Sequence, residues 1–399
     1  MAWYDIFRRR EAKALPSRFW NAILWGRGWE DYSRWDKQKL IEQAYERNPT
    51  FYAACNLIAE TVADLPIYVK YKAGGGMQTT SEHPLLALMD RSDSGRKTFV
   101  EKMMLYLVVT GEAYAQVVFT ESGDAKRPLG MIVIPSQDIN PIQGDYRRPI
   151  SGYRMRDVKD LYFAPEEVVY VKQVNLREYL HGMSAGVPLA EIIDLNNSAI
   201  TWNKNIAQAG GMPQVIAKAP GITREESQQL KDDWQMSSGG ANNSHRLKVI
   251  SENLDLQKLT DKPNEAEWSK AIEMTSRMIL MALGVPSELM NDAANKTYNN
   301  QKEARKALYM EACIPLARKF YGAITQHLSH YFADSPEICL DVDAIEAIQE
   351  DRALVIERLT KAVAGGILTQ NEAREELGYE QSDDPGASLL RIAPAGPAG

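Results

Sequence analysis

The stretch MALGVPSELMNDAANKTYNNQKEARKALY, residues Met281–Tyr309, predicts a helix, a polar gap and a second helix. Apolar side chains keep helical spacing up to Leu283, and Gly284 and Pro286 then supply the residue types that end a helix. The segment from Gly284 to Asn300 is rich in Asn, Ala and Ser, which favour turns and caps, and strong helix formers follow it. A long helix, a polar loop and a longer helix are therefore expected in that order.

Three further segments carry distinctive patterns: GGILTQNEAREELG at Gly365–Gly378, VTGEAYA at Val109–Ala115 and HPLLALM at His83–Met89. In the first of them, the side chains of Thr369 and Glu372 have the spacing of a capping box. A short helix should therefore start after Thr369.

These three segments and the stretch Met281–Tyr309 together resemble sequence patterns of the portal proteins of tailed double-stranded-DNA bacteriophages. The resemblance extends from Asn48 to Gly378, and Glu112 stands where the family pattern has Asn. It implies a phage portal protein that forms a ring-shaped DNA conduit at one capsid vertex, through which the genome is packaged and ejected. The implied partners are other copies in a ring, usually a dodecamer, double-stranded DNA, the terminase motor, a head completion or adaptor protein and the major capsid protein.

The resemblance also implies a location, the portal vertex of the virion, with the host cytoplasm during assembly. The implied fold class is α+β, with an α+β wing, a helical stem, a small α/β clip insertion and a short helical crown. The predicted divisions are an Arg- and Trp-rich arm at 1–47, the wing at 48–186, stem helix 1 at 187–210, the clip at 211–263, stem helix 2 at 264–284, the tunnel loop at 285–300, a long helix and return strand at 301–343, the crown at 344–380 and a mobile tail at 381–399.

Local patterns predict several elements independently of the resemblance. Asn48 and Pro49 supply an N-cap and a first-turn proline for a helix. IYVKYK, AGGG and MQTT predict a β-hairpin, and AYAQVVF, GMIVIP and VVYVKQ predict further strands. Thr98 and Glu101 have capping-box spacing, and Pro315 should kink the long helix. A late strand, PEICLDV, should return to the wing.

Three groups of functional residues follow from the resemblance. The polar composition of the tunnel loop after Met290 also suits water and a sliding polyanion, although a solvated surface loop between helices is the alternative. The residues predicted to face DNA are Asn291, Asp292, Asn295, Lys296 and Asn299. The residues predicted for clip contacts with the motor and connector are Trp234, Lys248 and Leu256. The residues predicted for stem packing are Ile192, Ile200, Trp268, Ile272 and Ile279.

Length and composition are consistent with this interpretation. A chain of 399 residues with 44% hydrophobic residues predicts two or three compact units. The net charge of −7 suits a conduit that must not hold a duplex, although charge taken alone favours the alternative that mild acidity simply aids solubility. Three scattered cysteines predict buried thiols in a reduced compartment. No membrane span, signal peptide, metal site or cofactor is expected.

The sequence also contains patterns typical of two other classes of function. Gly182-Met183-Ser184-Ala185-Gly186 fits the GxSxG pattern of a serine hydrolase, but the nearest predicted strand ends some residues earlier and no HGGG element accompanies it. The N-terminal arm would suit a DNA-binding capsid scaffold protein because basic residues are interleaved with aromatic ones in it. Those residues are Arg8, Arg9, Arg10, Trp3, Trp20, Trp25, Trp29 and Trp35. The same composition would suit a membrane interface, a neighbouring subunit or the capsid.

Overall fold

The computed structural model describes residues 36–92, 95–122, 125–156, 158, 161–208, 215–218, 223, 225, 228–229, 255–258, 265–290, 298–349, 352–382 and 384–390. The α-helices in this part are α1 Lys37–Lys39, α2 Pro49–Ala63, α3 Pro84–Asp90, α4 Gly95–Val109, α5 Gly186–Gln208, α6 Glu265–Leu283, α7 Tyr298–Ala307, α8 Ile314–Leu328, α9 Arg352–Ala364 and α10 Gln370–Glu376. None of these helices is both long and apolar enough to cross a bilayer.

The strands are β1 Ile67–Ala73, β2 Gly76–Thr80, β3 Glu112–Ser122, β4 Ala125–Ile134, β5 Ile139–Gln143, β6 Ile150–Met155, β7 Tyr162–Phe163, β8 Val168–Lys172, β9 Val215–Lys218, β10 Asp255–Lys258 and β11 Glu337–Leu340. Across the described residues they form antiparallel sheets of order β11-β1-β2, β4-β3-β8 and β5-β6-β7, and the pair β9-β10. The α+β class and the predicted strands of the wing are confirmed.

The first sheet joins distant parts of the chain. Gly74 and Gly75, with φ of 60° and 83°, turn the chain between β1 and β2, because glycine has no Cβ to oppose the left-handed region. β11 pairs with the other edge of β1 and places Leu340 opposite Ile67. The predicted hairpin and the predicted return strand are both confirmed.

The predicted start of α4 is wrong. This helix begins at Gly95, so Thr98 and Glu101 lie inside it and do not form its cap. Gly95 has φ of 79°, and its carbonyl accepts the Ser92 hydroxyl at 3.0 Å. A glycine in the left-handed region redirects the chain one turn before the capping-box pattern is reached.

Residues 298–331 are helical throughout, but they change helix type in the middle. A π-helical segment, Leu308–Cys313, joins α7 to α8, and the Ile314 N–H bonds to the carbonyl of Tyr309, five residues back. Pro315 has no N–H to donate and its ring crowds the preceding turn. The wider turn directly precedes Pro315, and the predicted kink stays a prediction.

The main core lies between α2, α4, α8 and the β4-β3-β8 sheet. Phe51, Phe99 and Phe320 are fully buried, and the rings of Phe99 and Phe320 lie 6.5 Å apart. Cys55 and Cys313 are buried in this region, and burial raises the pKa of the Cys313 thiol to about 12. These two cysteines are buried thiols, as predicted, whereas Cys339 is only half-buried.

The chain forms two compact units, Met1–Leu340 and Asp341–Gly399. In the second unit, Thr369 caps α10 by accepting the Glu372 N–H at 3.2 Å, and the Glu372 carboxylate accepts the Thr369 N–H at 2.7 Å. The predicted capping box is therefore confirmed. The finer domain boundaries stay predictions.

Candidate functional site

The two long helices α5 and α6 pack side by side in the first unit. Ile279 is fully buried, Ile192 and Ile272 are half-buried, and Ile200 is exposed. The side chain of Trp268 lies outside the described part of the chain. The stem role of these five residues stays a prediction.

Buried amides join α5 and α6 to the start of α2; we call Asn48, Asn196, Asn197 and Thr275 the amide cluster. Asn48 caps α2 by accepting the Phe51 N–H at 2.9 Å, as its place before a proline predicts. Its Nδ2 group also donates to the side-chain oxygens of Asn196, at 2.9 Å, and Asn197, at 3.0 Å. Asn196 donates to the hydroxyl of Thr275 at 2.7 Å. All four side chains are buried.

In this cluster, the sequence predicted only that Asn48 caps α2. Neither helical periodicity nor the resemblance singles out Asn196 or Asn197, because a polar residue in a helix is usually solvated. Thr275, their neighbour on α6, lies in a stretch whose helical spacing of apolar residues predicts a packed face. Burial of these groups is tolerated because each finds a hydrogen-bond partner.

The second long helix ends where the sequence predicts. Gly284 has φ of 70°, and the Val285 N–H closes the turn on the Leu280 carbonyl at 2.9 Å. A 3₁₀ turn at Ser287–Met290 follows, and α7 begins at Tyr298. The order of helix, gap and helix is confirmed.

The residues predicted to face DNA mostly fall in that gap. Asn291, Asp292, Asn295 and Lys296 lie outside the described residues. Asn299 is in the first turn of α7, but its side chain is outside the described part as well. Their role in a channel stays a prediction.

Between α5 and α6 the structure describes the strand pair β9-β10. Leu256, a predicted clip contact, is opposite Ala217 in this antiparallel pair. Trp234 and Lys248 lie outside the described residues. The insertion thus has at least one β-ladder, and its contacts stay predictions.

The GxSxG segment forms a buried turn just before α5. The Ser184 hydroxyl donates to the carbonyl of Val109 at 2.5 Å and accepts the Gly186 N–H at 2.8 Å, and Ser184 is 2% exposed. Such a hydroxyl is occupied by backbone partners, whereas a nucleophile elbow presents its serine at the surface beside a base. The turn also does not follow a strand directly, since β8 ends at Lys172.

The same turn interlocks with the VTGEAYA segment through two glycines. A Cβ on Gly182 would lie 2.0 Å from the carbonyl oxygen of Gly111, and a Cβ on Gly111, whose φ is 82°, would lie 2.4 Å from the carbonyl carbon of Met183. Two sequence motifs that lie about 70 residues apart therefore need glycine for one close backbone contact.

Glu112 lies at the centre of this contact; we call Glu112, Lys37, Tyr170, His181 and Gly182 the entry cluster. The Glu112 carboxylate is fully buried and forms an ion pair with Lys37. It accepts the Tyr170 hydroxyl at 2.8 Å and the Gly182 N–H at 3.0 Å, and His181 Nδ1 lies 3.3 Å away. The residue that departs from the family pattern thus anchors the turn that starts α5.

The charge of Glu112 is stabilised by these partners. Burial raises its pKa, but the hydrogen bond from His181 and the positive charge of Lys37 outweigh burial and lower the pKa to about 2. The Tyr170 ring stacks on Tyr114 with centroids 4.6 Å apart, and burial raises the pKa of Tyr170. The cluster is therefore a buried carboxylate held ionised, with Tyr170 as a neutral donor.

These features define a class of α+β protein. In it, a small insertion separates two paired long helices, and a gap precedes a third long helix. The fold of this chain is similar to that of a chain in the neck of an empty GTA particle computed with C6 symmetry, with a TM-score of 0.65, 24% identity, and 90% of this chain and 98% of that chain covered. It is also similar to an HK97 family phage portal protein from Corynebacterium diphtheriae, with a TM-score of 0.54, 15% identity, and 76% and 98% covered.

The sequence matches the family model described as phage portal protein over residues 49–378, so this chain belongs to the phage portal protein family. A probable portal protein of Streptomyces phage phiC31 is 24% identical over 315 residues, which are 74% of this chain and 67% of that protein. Portal proteins are structural proteins, and neither a serine hydrolase nor a DNA-binding scaffold finds support in these similarities.

Proposed function

We propose that copies of this chain form a closed ring at one capsid vertex and that DNA passes through its centre. The observation that carries the proposal is the exposed apolar surface on the paired helices. Leu195 on α5 and Met274 and Met281 on α6 are 50%, 57% and 75% exposed. Apolar surface of this kind marks an interface with another chain, and two different surfaces that meet head to tail close a ring.

The similarity to a neck chain solved with cyclic symmetry supports the same arrangement. In this proposal the ring resides in the virion at the portal vertex and assembles in the host cytoplasm. Its partners are double-stranded DNA, the terminase motor, a head completion or adaptor protein and the major capsid protein. The chain itself supplies geometry and binding surfaces, and a separate motor supplies the work of packaging.

The mass of the purified chain tests ring formation. We expect a single closed species, usually a dodecamer in this family, at micromolar concentration in several salts, and averaged images should show cyclic symmetry. Changing Met281 to Glu should weaken assembly because it places a charge in the apolar surface. Asn203, an exposed polar residue on the neighbouring helix α5, gives the control as Asn203→Glu. A wild-type chain that stays monomeric in every salt would refute the ring.

Substitution of Lys296, the single cation of the tunnel loop, tests whether this loop lines the channel. Lys296→Glu should leave the ring mass unchanged but alter packaging or retention of DNA, because it adds like charge along the phosphate path. A photoreactive group at residue 296 should capture packaged DNA, and one at exposed Leu176 should not. Equal capture at both positions would exclude residue 296 from the channel wall.

The clip is tested by a deletion of residues 212–262. Because the insertion leaves and re-enters between adjacent helices, the deleted chain should keep the β4-β3-β8 sheet while losing motor and connector binding. Circular dichroism and cysteine protection at Cys55 report whether the core still folds. An unfolded core after this deletion would show that the insertion is not a separate unit.

A further inference from the structure

A groove of about 670 Å³ runs between the end of β8 and the helix α8. Its lining includes Tyr170, Lys172, Gln173, Arg318 and Gly322. Among the described strands β8 pairs only with β3, so its other edge borders this groove. A Cβ added to Gly322 would meet nothing within 4 Å, which leaves room for a chain to lie against α8.

The rim of the groove exposes apolar side chains to an unusual extent. Val174 lies in its lining and is 74% exposed, and Leu176, in the same loop, is 95% exposed. Single exposed apolar residues need no explanation, but two in one short loop beside an open strand edge indicate a surface that is covered in the assembled protein.

The groove wall is positively charged on its helical side. Arg318 is exposed and has no hydrogen-bond or ion-pair partner in the described part of the chain. Lys319 next to it bonds through its ammonium group to the neutral side chain of Gln173 at 2.6 Å. Both cations can therefore face a pair of neighbouring carboxylates, and Glu178 is the acidic residue in the lining.

The first described residues contact an aromatic stack that reaches this groove. The described chain begins at Asp36, and the Lys37 ammonium group lies 5.4 Å from the centre of the Tyr114 ring. Tyr114 in turn stacks on Tyr170, which lines the groove. The ion pair between Lys37 and Glu112 holds this end of the arm in place. The first described residues are therefore linked to the groove lining through the stacked rings of Tyr114 and Tyr170.

The part of the arm closest to that point has the matching chemistry. Residues 25–35, WGRGWEDYSRW, contain three tryptophans and a tyrosine, and the adjacent carboxylates Glu30 and Asp31 lie between Arg27 and Arg34. We propose that residues 25–35 occupy the groove of their own chain, with aromatic rings on Val174 and Leu176 and with the two carboxylates facing Arg318 and Lys319. At about 3.3 Å per extended residue, the reach is ample. Aromatic side chains bury large area, and opposite charges set their register.

Crosslinking of the full-length protein tests the position of the arm. A photoreactive phenylalanine analogue in place of Trp29 should join peptides that contain residues 170–179 or 318–326, whereas the same analogue at Trp3 should not. In rings assembled from mixed ¹⁵N-labelled and unlabelled chains, the joined peptides should carry the same label. Adducts at other surfaces, or mixed-label adducts, would overturn the proposal.

A charge exchange tests the contact itself. Arg318→Glu should raise the rate of chymotrypsin cleavage after Trp29 and Tyr32 about fivefold, the effect of losing roughly 1 kcal/mol. Arg305→Glu, which changes an exposed arginine on α7, should leave the rate unchanged. Adding Asp31→Arg to Arg318→Glu should restore slow cleavage, and the ring mass is measured for every variant. Equal cleavage rates in Arg318→Glu and Arg305→Glu would overturn the proposal.

Discussion

Two buried polar clusters hold α5, and they do so by different physics. The entry cluster fixes the start of the helix with an ionised carboxylate, whereas the amide cluster fixes its middle with neutral groups. A buried charge needs every partner because its desolvation cost is several kcal/mol, and a neutral amide loses about 1 kcal/mol per bond. The helix start should therefore be the more sensitive of the two places to mutation and to pH.

The largest effect is expected from Lys37→Met. It leaves the Glu112 charge buried without its cation, and the free energy of unfolding should fall by about 4 kcal/mol. Urea unfolding at fixed protein concentration measures this fall in the free energy of unfolding. Lys39→Met changes an exposed neighbour on the same short helix and should cost almost nothing. Adding Glu112→Gln to Lys37→Met should recover most of the loss, and no recovery would show that Lys37 acts by packing alone.

Acid should weaken the entry cluster and spare the amide cluster. The folded pKa of Glu112, about 2, is below its ordinary value of 4.5, so its contribution is present above pH 4.5 and is lost as the pH falls towards 2. The loss should reach roughly 3 kcal/mol. Unfolding free energies from pH 6 to pH 2.5 should fall less steeply in Glu112→Gln than in the wild type. Asn48→Ala should keep the wild-type dependence of the unfolding free energy on pH. A weaker dependence in Asn48→Ala would show that the two clusters do not differ in their response to acid.

Within the amide cluster, Asn48→Ala should lower the free energy of unfolding by about 2 kcal/mol, because it removes the cap of α2 and two bonds to α5. Asn48→Ser keeps a capping oxygen and should cost about half as much. Asn203→Ala, on the exposed side of α5, serves as the control and should change stability very little. If Asn48→Ser and Asn48→Ala cost the same, the bridge to α5 rather than the cap dominates.

The smallest effect is expected at the turn between the clusters. Ser184→Ala removes two buried hydrogen bonds to backbone groups and should cost about 1 kcal/mol. Ring mass and virion yield should stay close to those of the wild type, because the hydroxyl shapes a turn. Loss of infectivity with intact rings would instead give Ser184 a chemical role.

Much of the fold could be predicted because its signals are local. The hairpin at β1-β2, the cap at Asn48, the end of α6 at Gly284 and the capping box at Thr369 each depend on a few neighbouring residues. The cap predicted at Thr98 was wrong. Its pattern is local too, but Gly95 acts one turn earlier and decides where the helix begins.

By itself, the sequence determined the family, the order of helix, gap and helix, and most element boundaries, because hydrophobic spacing, caps and turn residues act over a few positions. Only the tertiary structure decided what Glu112 does. Its partners, Lys37, Tyr170 and His181, lie about 60 to 75 residues away along the chain and meet it through the sheet and the glycine contact. Long-range contacts between polar groups leave no periodic signal, and whether a buried charge is stable depends on how many partners the fold brings to it.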